Sequence, residues 1–463
     1  MMSTLQHVAS VVAGKLHGSD AEFSAVSTDT RSIASGQLFF ALRGDQFDAA
    51  EFVGQAAQAG AVGAIVEKFV DVEIAQVEVE DTRVALGGVA RDWRLQSGAA
   101  VIGITGSNGK TTVKELTATM LRVALSDDAV LATRGNLNNE IGLPLTLLEL
   151  REQHQVAVVE LGASSPGDIA ILTAIALPNI AVITNVARAH LEGFGNVDVV
   201  ADTKGALLSG LDESGVAILN ADDAFFASWV ERAAPARVVS FGLSSEADYR
   251  AENIQPIVRK GRPGFAFDFA CPDGAAPVAM PLAGRHNVVN ALAAGAAAMV
   301  AGADLEHVSA GLALAENVRG RLRAFHSESG AMVFDDSYNA NPDSVAAAIM
   351  AMAEFKGKTW LVLGDMGELG VDAVEMHQAT GKLARESGAE SLLCIGELGR
   401  EIAAGFGPGA RWFETLPELE AALGEELLPG RNVLIKASRF MGLDALVRNI
   451  EAASQASVQG QGA

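Results

Sequence analysis

The run Val-Ile-Gly-Ile-Thr-Gly-Ser-Asn-Gly-Lys-Thr-Thr, residues 101–112, restricts the possible folds more than any other stretch of the chain. It begins as an apolar strand, turns at glycines and continues as a helix from Lys110. Glycine permits the tight turn, and a helix N-terminus offers free N–H groups and partial positive charge, so this arrangement is typical of phosphate binding. We therefore expect an α/β domain with a phosphate loop at the end of a buried strand.

The individual residues of this loop suggest their roles. Lys110 would neutralise the outer phosphates of a nucleotide, and the Thr111 hydroxyl would reach Mg²⁺. The strict phosphate-loop pattern has glycine six residues before the lysine, where this chain has Ile104. The alternative is a tight strand-to-helix turn that only happens to contain Gly-Lys-Thr-Thr. The residues expected to bind the nucleotide phosphates are Gly106, Ser107, Asn108, Gly109, Lys110, Thr111 and Thr112.

Composition excludes several classes of protein. The chain has 463 residues, is 49% hydrophobic and carries a formal net charge of −23, without the clustered lysine and arginine that a nucleic-acid surface requires. Its two cysteines, Cys271 and Cys394, favour buried thiols in a reducing compartment over a disulfide framework or a zinc site. The longest apolar stretch, residues 291–303, is too short to span a bilayer. We expect a cytoplasmic protein without nucleic-acid or integral membrane contacts.

Hydrophobic periodicity divides the chain into three units. Residues 1–82 read as a small α/β unit, residues 83–314 as a central unit with a parallel sheet around the glycine loop, and residues 315–463 as five successive strand–helix pairs. Such pairs predict a second, doubly wound, Rossmann-like sheet. Within the central unit, residues 247–282 alternate and predict an antiparallel excursion. The Gln- and Gly-rich tail, residues 454–463, is expected to be disordered.

Polar residues follow the buried strands of the central unit. Glu160 ends a nearly continuous apolar strand, and a carboxylate at that position beside a phosphate loop is the usual Mg²⁺ partner. Its alternative interpretation is a solvated strand-end carboxylate. Considered alone, His190 is more typical of a structural hydrogen-bonding group, and Lys204 of a surface lysine. A loop rich in amides, residues 133–140, has no apolar period and is a candidate binding loop.

Turns of the first unit carry a second set of polar candidates. Polar side chains at strand ends can converge on a ligand, but they also serve ordinary turn chemistry and surface ion pairs. Pattern alone favours the structural interpretation. The residues concerned are Ser27, Thr28, Asp29, Arg31 and Arg43.

Several runs of the sequence resemble one family. Residues 105–112 resemble the ATP loop of the Mur ligases, the ATP-dependent amide-bond enzymes of peptidoglycan precursor synthesis, and residues 189–195 with Lys204 resemble their metal and lysine segment. Residues 335–342, Asp-Asp-Ser-Tyr-Asn-Ala-Asn-Pro, and 363–370, Leu-Gly-Asp-Met-Gly-Glu-Leu-Gly, resemble the member that adds D-alanyl-D-alanine. The turns at residues 27–31 and 38–44 are similar to that member's unit for uridine diphosphate. Departures from the family pattern occur at Ala206, Ala437 and residues 48–52.

The resemblance implies roles for particular residues. Thr111, Glu160, His190 and Lys204 would serve the Mg²⁺ ions, with Lys204 carbamylated, and Lys110, Glu160, His190 and Lys204 would form the catalytic set. His286 and Asn287 match the adenine side, and Arg321 and Asp336 match residues that reach the nucleotide from the closing domain. The residues implied to contact the UDP-sugar or the peptides are Ser27, Thr28, Asp29, Arg31, Arg43, Asn136, Asn138, Asn139, Asn339 and Asn341.

The implied reaction joins D-alanyl-D-alanine to UDP-MurNAc-tripeptide through an acyl phosphate, with ATP and Mg²⁺, in a monomeric cytoplasmic enzyme. A sibling ligase that adds a different amino acid, or a folylpolyglutamate-type ligase, shares the loop and remains an alternative. A nucleotide switch or kinase is a third possibility. A switch GTPase should carry an Asn-Lys-x-Asp segment, which this chain lacks.

Overall fold

A computed structural model describes residues 2–44, 48–259 and 261–460. The first unit is built on a five-stranded sheet in the order β2-β7-β6-β5-β4, parallel except for the β2–β7 pair. Leu38 and Phe40 face one side of this sheet, and Phe39 faces a second cluster on the other, as the period of two requires. The elements are β1 (Ser3–Thr4), α1 (Leu5–Val11), β2 (Lys15–His17), β3 (Glu22–Phe23), β4 (Ala25–Ser27), β5 (Gln37–Phe40), α2 (Val53–Gln58), β6 (Gly63–Val66) and β7 (Ala75–Glu78).

The central unit contains a nine-stranded sheet in the order β16-β15-β14-β13-β12-β11-β8-β10-β9. Strands β8 to β14 pair in parallel, and β14, β15 and β16 form antiparallel pairs, which confirms the predicted excursion. Its elements are α3 (Thr82–Gln96), β8 (Ala100–Thr105), α4 (Lys110–Ala124), β9 (Val130–Ala132), α5 (Gly142–Leu147), β10 (Val156–Glu160), α6 (Asp168–Ala176), β11 (Ile180–Ile183), α7 (Leu191–Phe194), α8 (Val197–Gly205), β12 (Val216–Asn220), α9 (Phe226–Ala233), β13 (Arg237–Gly242), β14 (Tyr249–Arg259), β15 (Arg262–Cys271), β16 (Gly274–Met280), α10 (Arg285–Val300) and α11 (Leu305–Ala313).

The position of β8 determines where the glycine loop lies. This strand is buried on both faces and pairs with β11 on one side and β10 on the other, so its carboxyl end opens in the middle of the sheet edge. The alanine-rich helix α10 packs beneath the sheet, because small side chains allow close approach. A methyl group on Gly295 would lie 2.4 Å from the Phe269 ring. Helix α10 is therefore tightly packed against this side of the sheet.

The third unit has a six-stranded sheet in the order β17-β18-β22-β19-β20-β21, with only β17 antiparallel to its neighbour. Helices cover both faces, as expected for a doubly wound sheet. Its elements are β17 (Arg323–His326), β18 (Met332–Asp335), α12 (Pro342–Met352), β19 (Lys358–Gly364), α13 (Ala373–Glu386), β20 (Ser391–Ile395), α14 (Gly399–Phe406), β21 (Ala410–Phe413), α15 (Leu416–Gly424), β22 (Arg431–Lys436) and α16 (Leu443–Gly460).

The predicted fold class, α/β in three units with a central phosphate-loop sheet and a C-terminal doubly wound sheet, is confirmed. The boundaries at residues 82 and 314 stay predictions. Helix α16 continues through residues 454–460, which the sequence assigned to a disordered tail, and residues 461–463 of that tail lie outside the described residues. Among the described helices, none is long and apolar enough to cross a membrane.

Candidate active site

The glycine loop has a shape that other side chains would disrupt. Gly106 and Gly109 have φ values of 150° and 84°, in the region that favours glycine. A methyl group on Gly106 would lie 1.8 Å from Thr184 Oγ1, and one on Gly109 would lie 2.4 Å from Asn290 Oδ1. The loop then feeds directly into α4, whose first N–H groups have no intrahelical acceptor. This is the geometry expected of a phosphate cradle.

The segment after β11 holds one side of the loop. Ser107 N donates to Asn185 O at 2.9 Å, and Asn108 N donates to Asn185 Oδ1 at 3.1 Å. Ala187 N in turn donates to Ser107 Oγ at 2.9 Å. Two loop amides are thus already used within the protein, which leaves those at the start of α4 for a ligand.

Lys110 lies over the loop. Its Nζ donates to Gly106 O at 2.7 Å and to Ser107 O at 3.4 Å. Burial lowers the pKa of the amine, and the charge of nearby Glu160 partly opposes that shift. A phosphate in the cleft would replace neutral carbonyl partners by anionic ones and would favour the charged form.

Glu160 is only 2% exposed, yet it forms no salt bridge in the described part of the chain. Thr111 Oγ1 donates to its Oε2 at 3.0 Å, and Asn138 Nδ2 donates to its Oε1 at 2.7 Å. Its backbone N–H donates to Thr133 Oγ1 at 3.0 Å, and Lys114 Nζ donates to Thr133 O at 2.6 Å. The carboxylate is therefore fixed in orientation without a salt-bridge partner among the described residues, and burial of such a charge is costly unless a metal or another cation binds it.

These donors fit Mg²⁺, which prefers a few protein oxygens together with water and phosphate oxygens. Thr111 supplies a hydroxyl and Glu160 a carboxylate, both beside the loop. No group of three or more His, Cys, Asp or Glu side chains that could form a cage around a metal is found among the described residues. A bound metal would accordingly depend on ligand phosphates for part of its coordination.

His190 and Lys204, predicted as further metal residues, lie on the same side of the loop. His190 Nδ1 faces the carboxylate of Glu368 from the C-terminal unit, and burial lowers the pKa of the imidazole. Lys204 is 2% exposed, and burial, followed by the charge of Lys110, lowers the pKa of its amine well below the ordinary value. No ion-pair or hydrogen-bond partner is present for Lys204 Nζ within the described ranges. A buried lysine amine with a lowered pKa and no partner among the described residues thus lies close to the phosphate loop.

A pocket of about 420 Å³ lies on the other side of the loop, between α10 and the C-terminal unit. Asn287 is held there by its bond to Ala283 O at 2.7 Å, and burial lowers the pKa of His286. Asp336 accepts from Lys436 Nζ at 2.6 Å, and the Arg321 guanidinium lies 4.2 Å from the centre of the Tyr338 ring. The residues predicted for the adenine side and for the closing domain are therefore brought together.

The larger cleft, of about 990 Å³, opens in front of Lys110 and Glu160. All five amides predicted for the peptide substrates line it, although Asn138 uses its amide on Glu160. The sequence analysis missed the opposite wall, where α3 contributes Arg83 and Arg91. Exposed arginines on a helix carry no signal in sequence unless the helix is already known to face a ligand. The five asparagines whose amides line this cleft are Asn136, Asn138, Asn139, Asn339 and Asn341.

The candidates from the first unit do not line either cavity. Asp29 accepts from Arg31 Nη2 at 2.6 Å, and this hydrogen bonding lowers the pKa of the carboxyl to about 2. Ser27 Oγ donates to Asp29 O at 3.1 Å, and Arg43 lies 3.5 Å from Glu67. Thr28 makes no side-chain contact with the cleft. Contact of these residues with the UDP-sugar stays a prediction.

Besides the contact of His190 with Glu368, further polar contacts join the C-terminal unit to the central unit near the loop. Asn341 Nδ2 donates to Asn108 Oδ1 at 2.9 Å, and Glu192 N donates to Glu368 O at 3.0 Å. Asp343 receives both the side chain and the backbone N–H of Arg188. The roles of Arg188, Asp343 and Glu368 were not predicted, because the partners lie in different units and no local pattern relates them.

Most of the chain is similar in sequence to known proteins. Residues 104–298 match the Mur ligase middle domain, and residues 320–439 match the Mur ligase glutamate ligase domain. A relative from Escherichia coli (strain K12), the UDP-N-acetylmuramoyl-tripeptide–D-alanyl-D-alanine ligase, is 38% identical over 452 residues, which cover 97% of this chain and 98% of the relative. The chain belongs to the Mur ligase family. Its counterpart in Bacillus subtilis (strain 168), with the same name, is 33% identical over 96% of this Mur ligase and 98% of the relative.

Solved structures place this Mur ligase among the same proteins. A crystal structure of MurF from Acinetobacter baumannii superposes with a TM-score of 0.89 at 35% identity, covering 96% of this chain and 98% of that one. MurF from Thermotoga maritima, solved in complex with ADP, gives a TM-score of 0.83 at 27% identity, covering 93% and 98%. The family expected from the sequence is confirmed.

Proposed function

We propose that this Mur ligase joins D-alanyl-D-alanine to UDP-MurNAc-tripeptide and converts ATP to ADP and phosphate. The observation that carries the proposal is the match, along nearly the whole chain, to ligases named for that reaction. The geometry supports it, because a phosphate loop and a cleft lined by amides from two units meet at Lys110. The product would be UDP-MurNAc-pentapeptide, a precursor made in the cytoplasm by a monomeric enzyme.

The chemistry needs activation because a carboxylate has no good leaving group. An oxygen of the tripeptide's terminal carboxylate attacks the γ-phosphorus of ATP, the bond to the β-phosphate oxygen breaks, and ADP leaves. The dipeptide amine then attacks the acyl carbon, loses a proton, and phosphate departs with the electron pair of the broken C–O bond. No enzyme nucleophile is needed, so catalysis consists of positioning and charge neutralisation.

The chain's own residues perform the positioning. Lys110 and the first N–H groups of α4 would hold the β- and γ-phosphates of ATP, with the adenosine in the pocket lined by His286 and Asn287. Arg321 and Asp336 would reach the nucleotide from the C-terminal unit. The asparagines of the larger cleft would orient the peptides.

Thr111 and Glu160 would hold Mg²⁺, and we propose that His190 and Lys204 also contribute to Mg²⁺ binding. The metal, when bound, would offset part of the phosphate charge. Burial lowers the pKa of the Lys204 amine and so favours its free-base form, which can react with CO₂ and lose a proton to give an anionic carbamate. The buried, unpaired position of Lys204 supports this modification.

A phosphate-release assay tests the proposed function. ATP turnover should require both UDP-MurNAc-tripeptide and D-alanyl-D-alanine, and single amino acids should not replace the dipeptide. A folylpolyglutamate synthase from Mycobacterium tuberculosis shares the fold at 18% identity and a TM-score of 0.64, so glutamate with a folate is a necessary comparison. Turnover with a single amino acid or with the folate pair would contradict the proposal.

A further inference from the structure

Among the described residues, Arg188 and Asp343 form the most extensive polar contact between the central and C-terminal units. Asp343 Oδ1 accepts from Arg188 Nη2 at 2.6 Å and from Nε at 3.1 Å, while Oδ2 accepts from the Arg188 backbone N–H at 2.6 Å. A carboxylate that receives a guanidinium and a backbone amide together fixes both the distance and the orientation of its partner. The two residues are separated by 155 positions in the chain.

The central-unit side of this contact is joined to the phosphate loop. Arg188 belongs to the segment between β11 and α7, and this segment also includes Asn185 and Ala187, which bind Ser107 and Asn108. Val186 N donates to Asp223 Oδ2 at 2.8 Å, which ties the segment to the next strand end. A displacement of Arg188 is therefore transmitted to the loop through several short hydrogen bonds.

The C-terminal side is joined to the substrate cleft. Asp343 is the second residue of α12, whose N-cap is Asn341, and Asn341 itself bonds Asn108. The residues just before the helix, Asn339 and Tyr338, line the cleft in front of Lys110. The position of α12 thus determines how closely this part of the C-terminal unit covers the reacting groups.

We infer that Arg188 and Asp343 are a positioning pair that sets residues 338–344 over the phosphate loop and keeps water from the acyl phosphate, an inference that rests on the proposed function. Water competes with the dipeptide amine for the acyl carbon. Its attack would return the free tripeptide carboxylate and release phosphate without forming an amide. A weaker contact between Arg188 and Asp343 should therefore increase the amount of phosphate released for each amide bond formed.

The test measures phosphate and UDP-MurNAc-pentapeptide in the same reaction. The intact chain should release about one phosphate for each amide formed, since each turnover consumes one ATP. Asp343→Asn and Arg188→Ala should raise this ratio about threefold or more, with the larger change in Asp343→Asn because it also weakens the bond from the Arg188 backbone N–H. Arg188→Lys keeps a charge and should give an intermediate ratio.

Glu390→Gln is the matched control, because Glu390 pairs with Lys358 at 2.9 Å on the surface of the C-terminal unit, away from the cleft. It should leave the ratio at about one, as a surface pair contributes little. A ratio of one in the folded Asp343→Asn and Arg188→Ala variants overturns the inference, whether their rates are normal or reduced. An intact chain that forms no pentapeptide overturns the proposed function and the inference with it.

Discussion

Lys110 shows what the glycine loop provides at the level of one side chain. Its Nζ is held by two loop carbonyls, so the amine lies where phosphates would bind. Such preorganisation lowers the reorganisation required during the reaction. The roles assigned to individual site residues stay predictions until such side chains are changed.

Lys110→Ala should lower the rates of both ligation and ATP turnover by roughly 10²-fold or more, because the charge that offsets the γ-phosphate is lost. The fold should be retained, since the side chain binds only loop carbonyls. Phosphate release and circular dichroism would measure the two effects. Full activity in this variant would remove the phosphate-loop assignment.

Lys204→Ala should be nearly inactive, because the proposed carbamate is absent. A short carboxylate such as acetate should restore part of the activity by occupying the space of the missing anion. Because the Lys204 side chain is buried, its removal leaves a cavity that a small anion can enter. Failure of rescue, together with an unmodified lysine in the active wild-type crystal, would count against carbamylation.

At the scale of helices and strands, the clearest unexpected feature is the length of α16. Its residue Glu451 accepts from Arg323 Nη1 at 2.7 Å and from Arg319 Nη2 at 2.9 Å, which fastens the helix to β17 and the preceding loop. These bonds, with Arg323 first, lower the pKa of Glu451 to about 2. Composition alone suggested a disordered tail, because it does not reveal that the helix before it is held by two arginines.

Glu451→Gln should destabilise α16 at neutral pH by roughly 1–3 kcal/mol, the usual contribution of hydrogen bonds to a charged group. A carboxyl whose folded pKa is depressed contributes its stability above the unfolded pKa of about 4.3 and loses it as pH falls through about 2. The difference between variant and wild type should therefore shrink between those values. Hydrogen exchange of the α16 amides, recorded at several pH values, measures this difference in stability. A difference that does not change with pH would contradict the ion-pair explanation.

The sequence predicts well those helices and strands whose formation depends on neighbouring residues in the chain. Buried strands ending in Thr105 and Glu160 follow from continuous apolar runs, and parallel pairing places both ends at one edge. The wall formed by α3 and the contact of Arg188 with Asp343 depend instead on how whole units meet. No periodicity encodes that orientation, so these parts of the site could not be predicted.

For the whole molecule, the site is complete only when the central and C-terminal units are together. The predicted family and fold class are confirmed by similarity across the chain, and this similarity includes residues on both sides of the cleft. The candidates in the first unit do not line the cleft, and two of them, Asp29 and Arg31, bind each other.

Asn341→Asp isolates the contact between units from the stability of α12. Aspartate keeps the oxygen that caps the helix by accepting from Ser344 N, but it lacks the amide that donates to Asn108 Oδ1. The KM for ATP should rise by about threefold to tenfold, since one hydrogen bond near the nucleotide is lost. Asn341→Ala removes the cap as well and should also lower thermal stability, and an unchanged KM in Asn341→Asp would contradict a role for the contact.

The close packing of the glycine loop has a consequence for inhibitor resistance. The space beside Gly106 is filled by Thr184, and the space beside Gly109 is filled by Asn290. A compound that binds the backbone of this loop would contact atoms that substitution cannot alter without also displacing a neighbouring side chain. Resistance to such a compound should arise through changes in the exposed cleft wall of α3, at positions such as Arg83, and not within the loop itself.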